Sequence, residues 1–341
     1  MGKKRNLYID TFDPKNIHHY YGIPNCYTAF STGKGTPYDA LTYGDNAGLD
    51  FMSITDLNSY LGTTISTNDG LLTKWQATKY FINRFQKKHD DFLPLIGFEC
   101  KTNSIGDLNI INPNSYFTGF VRDLKLLALW MLNHEDSIIS IRTPPVTFKP
   151  LPYNLILNKL ITCVDVGASH QSAKSTLYEK YYYYMLDAGW RLGAINGQNT
   201  QKLQLGETEN LTVYIGNELS TDELVAAFRN RRTYSTQSRF LKLHFTINGA
   251  FMGENIIIQP NEKLKFNIYA EDYKFNIQEI QIITSKGVIL RKIDSINLSY
   301  IKYIYEYTPS NNETWYLIKL IQDDGRIAIS SPIFISYDEI K

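Results

Sequence analysis

The chain has 341 residues, of which 43% are hydrophobic and 20% are charged. That length is enough for about two globular domains with sizeable cores. The 35 basic and 34 acidic residues leave a formal net charge of +1, which argues against nucleic acid or an anionic membrane surface as an electrostatic partner. No apolar run approaches the length of a membrane-spanning helix.

The first two thirds of the chain alternate between helical and extended patterns. Thr36-Pro37 is typical of an N-cap with proline at the first helical position, and it predicts a helix to about residue 47. A second helix, beginning near Asp69, is predicted over 70–89. Further helices are predicted over 119–134, 175–188 and 219–231, and buried strands over 49–55, 92–97, 108–111, 137–141, 160–166 and 191–195. Repeated strand–helix units indicate an α/β fold with a mostly parallel sheet or a barrel.

The pattern changes after about residue 238. Strands are predicted over 241–247, 262–269, 277–285, 288–293, 300–307, 314–322 and 327–335, and no helix is predicted among them. Short turns such as Asn248-Gly249 separate these strands. The sequence therefore predicts two domains, residues 1–237 and a small antiparallel β-sandwich over residues 238–341.

The cysteines and the N-terminus indicate the compartment. Cys26, Cys100 and Cys163 are odd in number and lack metal-site spacing, so we expect buried thiols. The basic N-terminus lacks the apolar segment of a signal peptide. The expected location is cytoplasmic, with non-classical release or packaging into a larger assembly left open. A composition rich in Asn, Ile, Lys and Tyr is typical of an AT-rich bacterial genome.

Several motifs occur in a characteristic order between about residues 21 and 335. They include Phe30-Ser31-Thr32-Gly33, Gly48-Leu49-Asp50-Phe51, Thr55-Asp56, Gly97-Phe98-Glu99, Gly189-Trp190-Arg191-Leu192-Gly193 and Ser331-Pro332-Ile333-Phe334. This series resembles the CehA/McbA-type metallohydrolases, which belong with the polymerase-and-histidinol-phosphatase (PHP) domain enzymes. The resemblance implies a distorted PHP-type β/α barrel followed by a C-terminal antiparallel β-sandwich domain.

The resemblance also implies where a metal site would lie. The family holds up to three divalent metals at the C-terminal mouth of the barrel, where a metal-bound hydroxide attacks a phosphate or related ester. The positions that correspond to its ligands are Asn25, Tyr27, Thr32, Leu57, Glu99, Asp107, Thr143, Asn199 and Gln201. Of these, only Glu99 keeps the family's residue, and Asp107 offers a carboxylate in place of a histidine. Leu57 replaces the histidine of a Thr-Asp-His motif.

These replacements favour a protein without a metal cofactor. Imidazole supplies most of the affinity for zinc, manganese or iron, and amide or hydroxyl oxygens are poor substitutes. Neutral residues in place of ligands also stabilise a metal-free fold, because unpaired carboxylates in a cavity repel one another. The sequence therefore predicts a catalytically inactive homologue with a structural or protein-interaction role, using its sandwich and its tyrosine-rich surfaces in self-assembly or partner binding.

Two alternatives remain open. Glu99 and Asp107 could hold a single Mg²⁺ or Ca²⁺ in a residual phosphoesterase. The former cleft could instead bind a small molecule such as a sugar or nucleoside, through Tyr27, Arg142, Asn199 and Gln201. No nucleic-acid partner is expected.

Overall fold

The computed structural model describes residues 11–67, 70–102, 105–134, 136–143, 152–169, 175–198, 203–310 and 312–338. Six helices are found there: α1 Pro37–Asn46, α2 Lys74–Gln86, α3 Leu124–Leu132, α4 Leu155–Leu160, α5 Glu179–Asp187 and α6 Thr221–Arg229. None of these helices is long and apolar enough to cross a membrane. As predicted, Cys26, Cys100 and Cys163 are buried free thiols.

Strands make up most of the regular structure. In the N-terminal part they are β1 His18–Cys26, β2 Phe51–Ile54, β3 Thr64–Thr67, β4 Gly70–Thr73, β5 Leu93–Cys100, β6 Asp107–Ile111, β7 Ile138–Thr143, β8 Ile161–Ser169, β9 Ser175–Leu177, β10 Gly193–Gln198, β11 Leu211–Gly216 and β12 Thr233–Thr236. In the C-terminal part they are β13 Lys242–Ile247, β14 Ala250–Phe251, β15 Asn255–Ile258, β16 Leu264–Glu271, β17 Ile277–Thr284, β18 Val288–Ile293, β19 Tyr300–Tyr307, β20 Trp315–Gln322, β21 Ile327–Ser330 and β22 Ile333–Tyr337.

The starts of the first two helices follow from their capping residues. Thr36 caps α1 in a reciprocal capping box with Asp39, which confirms the predicted start. The prediction that α2 begins near Asp69 is wrong, because Thr73 caps it through a second capping box with Gln76. The preceding residues Gly70–Thr73 form β4, which pairs antiparallel with β3.

Strand β1 lies between β2 and β11 although it contains a proline. The parallel register with β2 shifts between Ile23 and Cys26, so Pro24 falls within an irregularity of the ladder. Proline is tolerated at a bulge because it has no backbone N–H to donate to the ladder, and a bulge interrupts the ladder. The bulge places Asn25 next to the end of the strand, where the candidate site begins.

One mixed sheet of sixteen described strands connects most of the chain. Its main path runs β10-β8-β7-β6-β5-β2-β1-β11-β12-β21-β20-β17-β18. Pairings of β1 with β2, β2 with β5, β7 with β8 and β8 with β10 are parallel, whereas β6 is antiparallel to both neighbours. The sheet curls so that β10 meets β11, where the Asn196 amide donates to Thr212 Oγ1 at 2.8 Å and that hydroxyl donates to the Asn196 carbonyl at 2.6 Å.

The C-terminal part places a second sheet against the first. Strands β14, β13, β16 and β19 form this four-stranded sheet. Its apolar side chains share a buried core with β17 and β20, including Phe245, Phe266, Ile280, Ile318 and Leu320. Two sheets facing each other across such a core agree with the predicted antiparallel sandwich.

The two parts of the chain are joined by backbone and core contacts. Strand β12 pairs with β21 across the predicted boundary at residue 237. Trp315 of β20 is fully buried, stacks on Tyr183 of α5 at 5.6 Å between ring centroids, and donates from Nε1 to Asp187 Oδ1 at 3.0 Å. The 237/238 boundary stays a prediction. The contacts described here join the residues before this boundary to the residues after it.

We expect Trp315→Ala to lower the free energy of unfolding by about 3–5 kcal/mol, because it leaves a cavity in a core that both parts share. Chemical denaturation followed by circular dichroism and by intrinsic fluorescence measures this loss. Both probes should report a single coincident transition. Tyr273→Ala, at a residue 75% exposed, is the control and should change little. Two separate transitions in the wild type would contradict the coupling.

Candidate functional site

A buried cluster of three side chains forms the centre of the candidate site. Tyr27 follows β1, Glu99 lies near the end of β5 and Arg142 lies near the end of β7. The Tyr27 hydroxyl donates to Glu99 Oε1 at 2.7 Å. Arg142 Nη1 donates to Glu99 Oε2 and to the Tyr27 oxygen, and its guanidinium carbon lies 4.6 Å from the centre of the Tyr27 ring. We refer to these three residues as the Glu99 cluster.

The register of the sheet brings Glu99 and Arg142 together. Glu99 is opposite Asn109 of β6, and Asn109 is opposite Ser140 of β7. Directly paired residues point to the same face, and side chains two apart on one strand do so as well. Arg142 lies in an irregularity of the ladder, between the pairs Leu108–Ile141 and Asp107–Thr143, and from there its side chain reaches across β6 to Glu99.

Burial controls the electrostatics of the Glu99 cluster. Glu99 is 1% and Arg142 6% exposed. Burial raises the pKa of Glu99, while Arg142 and the Tyr27 hydroxyl oppose that rise. Burial lowers the pKa of Arg142, yet the charges of Glu99, Tyr27 and Asp165 together raise it above its ordinary value. The guanidinium therefore stays charged and compensates the buried carboxylate.

Asp165 of β8 is a second buried acid near the cluster, and the sequence analysis missed it. Burial raises its pKa well above the ordinary value, with Arg142 opposing and Glu99 adding to the rise. Its Oδ1 has no hydrogen-bond partner in the described part of the chain. The available signal was a single carboxylate within the otherwise apolar predicted strand over 160–166.

Asn25 lies beside Asp165. A Cβ atom on Gly197 of β10 would come within 2.5 Å of Asn25 Nδ2 and 2.7 Å of Asp165 Oδ2, so glycine is required for the strand to approach. Both amide atoms of Asn25 are buried and have no partner among the described residues. Both amide atoms of the Asn109 side chain, opposite Glu99, are likewise buried without a partner among the described residues. Buried polar atoms of this kind are normally satisfied by ordered water or a ligand.

The other predicted site residues are placed as follows. Asp107 is half-buried at the start of β6, and its charge helps to raise the pKa of Glu99. Leu57 is half-buried, and its backbone forms an isolated bridge with Glu99. Thr32 is exposed. The backbone of Thr143 pairs with Asp107 at the end of β7.

Asn199 and Gln201 lie outside the described residues. Their predicted place in the cleft therefore stays a prediction.

Asp56, next to Leu57, stabilises the turn that follows Tyr27. Its carboxylate accepts from the Thr28 amide at 2.8 Å and the Thr28 hydroxyl at 2.6 Å, and also from the Ser31 hydroxyl. Burial raises its pKa to about 6, against the effect of these hydrogen bonds. Asp56 thus acts on the backbone that positions Tyr27.

The Glu99 cluster does not fit a metal. Both oxygens of the Glu99 carboxylate already accept hydrogen bonds, one from Tyr27 and the other from a guanidinium. Divalent ions need several oxygen or nitrogen ligands around one point. Within the described ranges, no group of three or more His, Cys, Asp or Glu side chains could hold a metal ion.

The fold is that of a known two-domain structure. A crystal structure from Bacteroides vulgatus, of a two-domain protein containing a predicted PHP-like metal-dependent phosphoesterase, aligns over 98% of this chain and 100% of that chain, with a TM-score of 0.52 and 14% identity. The likeness shows a PHP-like fold. The fibronectin(III)-like modules of Clostridium thermocellum CbhA align with 39% of this chain and 64% of theirs, at 16% identity, but a TM-score of 0.22 supports no argument.

The sequence comparisons add less. No family model matches the chain. An uncharacterized protein of Chlamydia muridarum is 28% identical over 142 residues. That match covers 37% of this chain and 22% of the relative, so the chain spans well under a third of that relative's length.

We expect Arg142→Met to lower the free energy of unfolding at pH 7 by about 3–5 kcal/mol, because it leaves Glu99 buried without a compensating cation. The loss should shrink as the pH falls from 7 to 5. A carboxyl whose pKa is raised in the folded state binds its proton more tightly there, so protonation favours the folded form. Denaturant titrations at a series of pH values measure both effects.

The double variant Glu99→Gln/Arg142→Met should lose less stability than the sum of the two single variants. Lys263→Met is the control, since Lys263 forms an exposed ion pair with Glu306. Its stability should be nearly unchanged. The compensation of Glu99 by Arg142 would be ruled out if the stability losses of the two single variants simply added in the double variant. A stability loss in Arg142→Met that does not depend on pH would also rule it out.

Proposed function

We propose that this chain is a catalytically inactive PHP-like metallohydrolase homologue of the CehA/McbA type that serves as a structural or protein-interaction protein. The single observation that carries this proposal is the engagement of Glu99 by Arg142. In the resemblance, Glu99 is the one metal-ligand position that keeps the family's residue. An internal guanidinium provides there the positive charge that a metal would otherwise supply, so the Glu99 carboxylate is compensated without a metal.

The residual-enzyme alternative is less well supported. It requires Glu99 and Asp107 to offer free oxygens to one Mg²⁺ or Ca²⁺. Glu99 would first have to release Arg142 and the Tyr27 hydroxyl, and the freed guanidinium would then repel the incoming cation. Exchanging a buried, hydrogen-bonded ion pair for a weak metal site is unfavourable, because breaking such a pair leaves a buried charge without compensation.

An interaction role is supported by large apolar side chains on the surface. On α3, Leu126 is 66% exposed and Leu129 58% exposed. The neighbouring α4 exposes Leu155 and Ile156. Contiguous exposed apolar residues are uncommon on monomeric proteins and mark contact surfaces. We therefore place the partner-binding face on α3 and α4, with self-assembly as one form of that contact.

Binding of a small polar molecule near the cluster is the second candidate. The observation that favours it is the set of buried polar atoms without described partners on Asn25, Asn109 and Asp165. A sugar or nucleoside carries several hydroxyl groups that could hydrogen-bond to amide and carboxylate atoms of this kind. This role is compatible with the loss of catalysis, since it needs no metal.

For the proposed loss of catalysis, we expect purified protein to contain zinc, manganese and iron far below one equivalent. We also expect no phosphodiester hydrolysis with added Mn²⁺, and no difference between the wild type and Glu99→Gln. Elemental analysis and a chromogenic diester assay measure these quantities. Glu306→Gln, at an exposed carboxylate, is the matched control. A near-stoichiometric metal, or hydrolysis abolished by Glu99→Gln alone, would refute the proposal.

For the second candidate, we expect a member of a sugar and nucleoside panel to raise the melting temperature, since a ligand at 100 times its Kd adds about 2.7 kcal/mol of stability. Asn25→Leu should abolish that shift, and Asn83→Leu, at an exposed asparagine, should not. No shift with any compound, together with water alone at Asn25 and Asp165 in a crystal structure, would remove this candidate.

A further inference from the structure

A cavity lies at the opposite end of β7 and β8 from the Glu99 cluster. Its volume is about 720 Å³, and its lining includes Ile139 and Thr162, near the starts of β7 and β8. Arg142 and Asp165 follow three residues later on the same strands. That separation corresponds to about 10 Å along the sheet. The cavity is therefore distinct from the Glu99 cluster, although it shares Leu155 with the exposed apolar face of α3 and α4.

The charged side chains around this cavity are cationic. Lys159, Arg191, Arg229 and Arg231 line it together with His134, and no carboxylate is found among its described lining residues. The ion pairs in the described part of the chain include none to Lys159, Arg191 or Arg231. This concentration of positive charge contrasts with the nearly neutral chain as a whole.

Two of the guanidinium groups contact the same aromatic ring. The Arg191 and Arg231 guanidinium carbons lie 5.8 and 5.7 Å from the centre of the same ring, that of Phe334. Burial and the neighbouring charge of Arg191 lower the pKa of Arg231. The two positive charges therefore influence one another, and an anion bound in the cavity would offset that repulsion.

The backbone of Arg231 is strained in a position where glycine is usual. Helix α6 ends in a Schellman motif, in which the Arg232 amide donates to the Ala227 carbonyl at 2.8 Å and the Arg231 amide to the Phe228 carbonyl at 3.2 Å. Arg231 occupies the left-handed position of this motif with φ +59°. Glycine would adopt this conformation without strain. The Arg231 side chain makes contacts that glycine could not, because Nε donates to the Gly253 carbonyl at 3.3 Å and Nη1 to the Arg229 carbonyl at 3.0 Å. These hydrogen bonds fix the position of the guanidinium at the cavity.

We propose that this cavity binds a small molecule that carries a phosphate group, held by Arg191 and Arg231. Guanidinium groups match the geometry of phosphate oxygens and bind them through paired, charge-assisted hydrogen bonds. The Ser137 hydroxyl is buried at the cavity without a described partner, and it offers one more donor.

The cavity is larger than a phosphate group alone requires. Its volume lies within the range of about 300–1,000 Å³ typical of small-molecule sites. Tyr153, Leu132 and Leu155 line it beside the basic side chains, so the remainder of the ligand would pack against an apolar wall. That remainder could belong to a soluble phosphate monoester or to a phospholipid, and in both cases the phosphate chemistry is the same.

Binding is measured with three probes on the full chain. Inorganic phosphate and glycerol 3-phosphate are titrated at constant ionic strength by calorimetry and thermal unfolding, with citrate as a carboxylate anion for comparison. Phosphatidylcholine vesicles with and without phosphatidic acid are tested by co-sedimentation. These arms separate a soluble ligand from a lipid headgroup.

Two variants each remove one of the guanidinium groups, and the two substitutions differ in how they could affect folding. Arg191→Gln changes an exposed side chain, and Arg231→Gly places the usual residue in the left-handed position. Both should weaken phosphate binding at least about tenfold, the loss expected for a charge-assisted contact. Arg231→Gly relieves the backbone strain but also removes the hydrogen bonds of Arg231 to the Gly253 and Arg229 carbonyls. Thermal unfolding without ligand therefore establishes that this variant is folded before its binding is measured.

The matched control is Arg84→Gln. Arg84 is also exposed and also lies over an aromatic ring, with its guanidinium carbon 5.7 Å from the centre of Tyr38. The Arg84→Gln variant should bind each probe as the wild type does.

Loss of binding to glycerol 3-phosphate, or to phosphatidic acid vesicles, in the two cavity variants but not in Arg84→Gln supports the proposal and identifies the source of the phosphate. Binding of no probe, binding unaffected by both variants, or equal binding of citrate overturns it.

Discussion

The compensation of Glu99 by Arg142 is the constraint around which the candidate site is arranged. A carboxylate that is 1% exposed must meet a cation or become protonated. Here the cation is a side chain of the same protein, so the charge of Glu99 is compensated from within the fold. The contact also joins the ends of β5 and β7 across β6, and Tyr27 completes it from the end of β1. The ion pair is therefore both an electrostatic and an architectural element.

The two ends of the curled part of the sheet differ in charge. At the end that holds Glu99 and Asp165, the acids are buried, and one guanidinium serves both. At the opposite end, arginine and lysine side chains surround a cavity without described carboxylates. The shared core with the C-terminal part, centred on Trp315, supports both ends because α5 and β10 pack within it. A PHP-like fold thus keeps its framework while its charged groups serve other contacts.

Local signals explain which elements were predictable. The N-cap at Thr36 and the alternating pattern of β16 and β19 depend on neighbouring residues and are found where expected. The start of α2 was misplaced because Gly70–Thr73 pairs with β3, a contact outside a helical window. Strand β1 was missed because Gly22 and Pro24 are typical of loops. It is a strand here because β2 and β11 pair with it on both sides.

The sequence by itself determined which residues stand at the positions where the resemblance implies metal ligands, and these include amide, hydroxyl and aliphatic side chains. It also showed Glu99 as a surviving acid and Arg142 as a nearby cation. Only the tertiary structure decided that these two side chains meet, because they are 43 positions apart and the register of β5, β6 and β7 brings them together. Register depends on pairing between distant segments, and no local pattern in the sequence specifies which side chains it will place face to face.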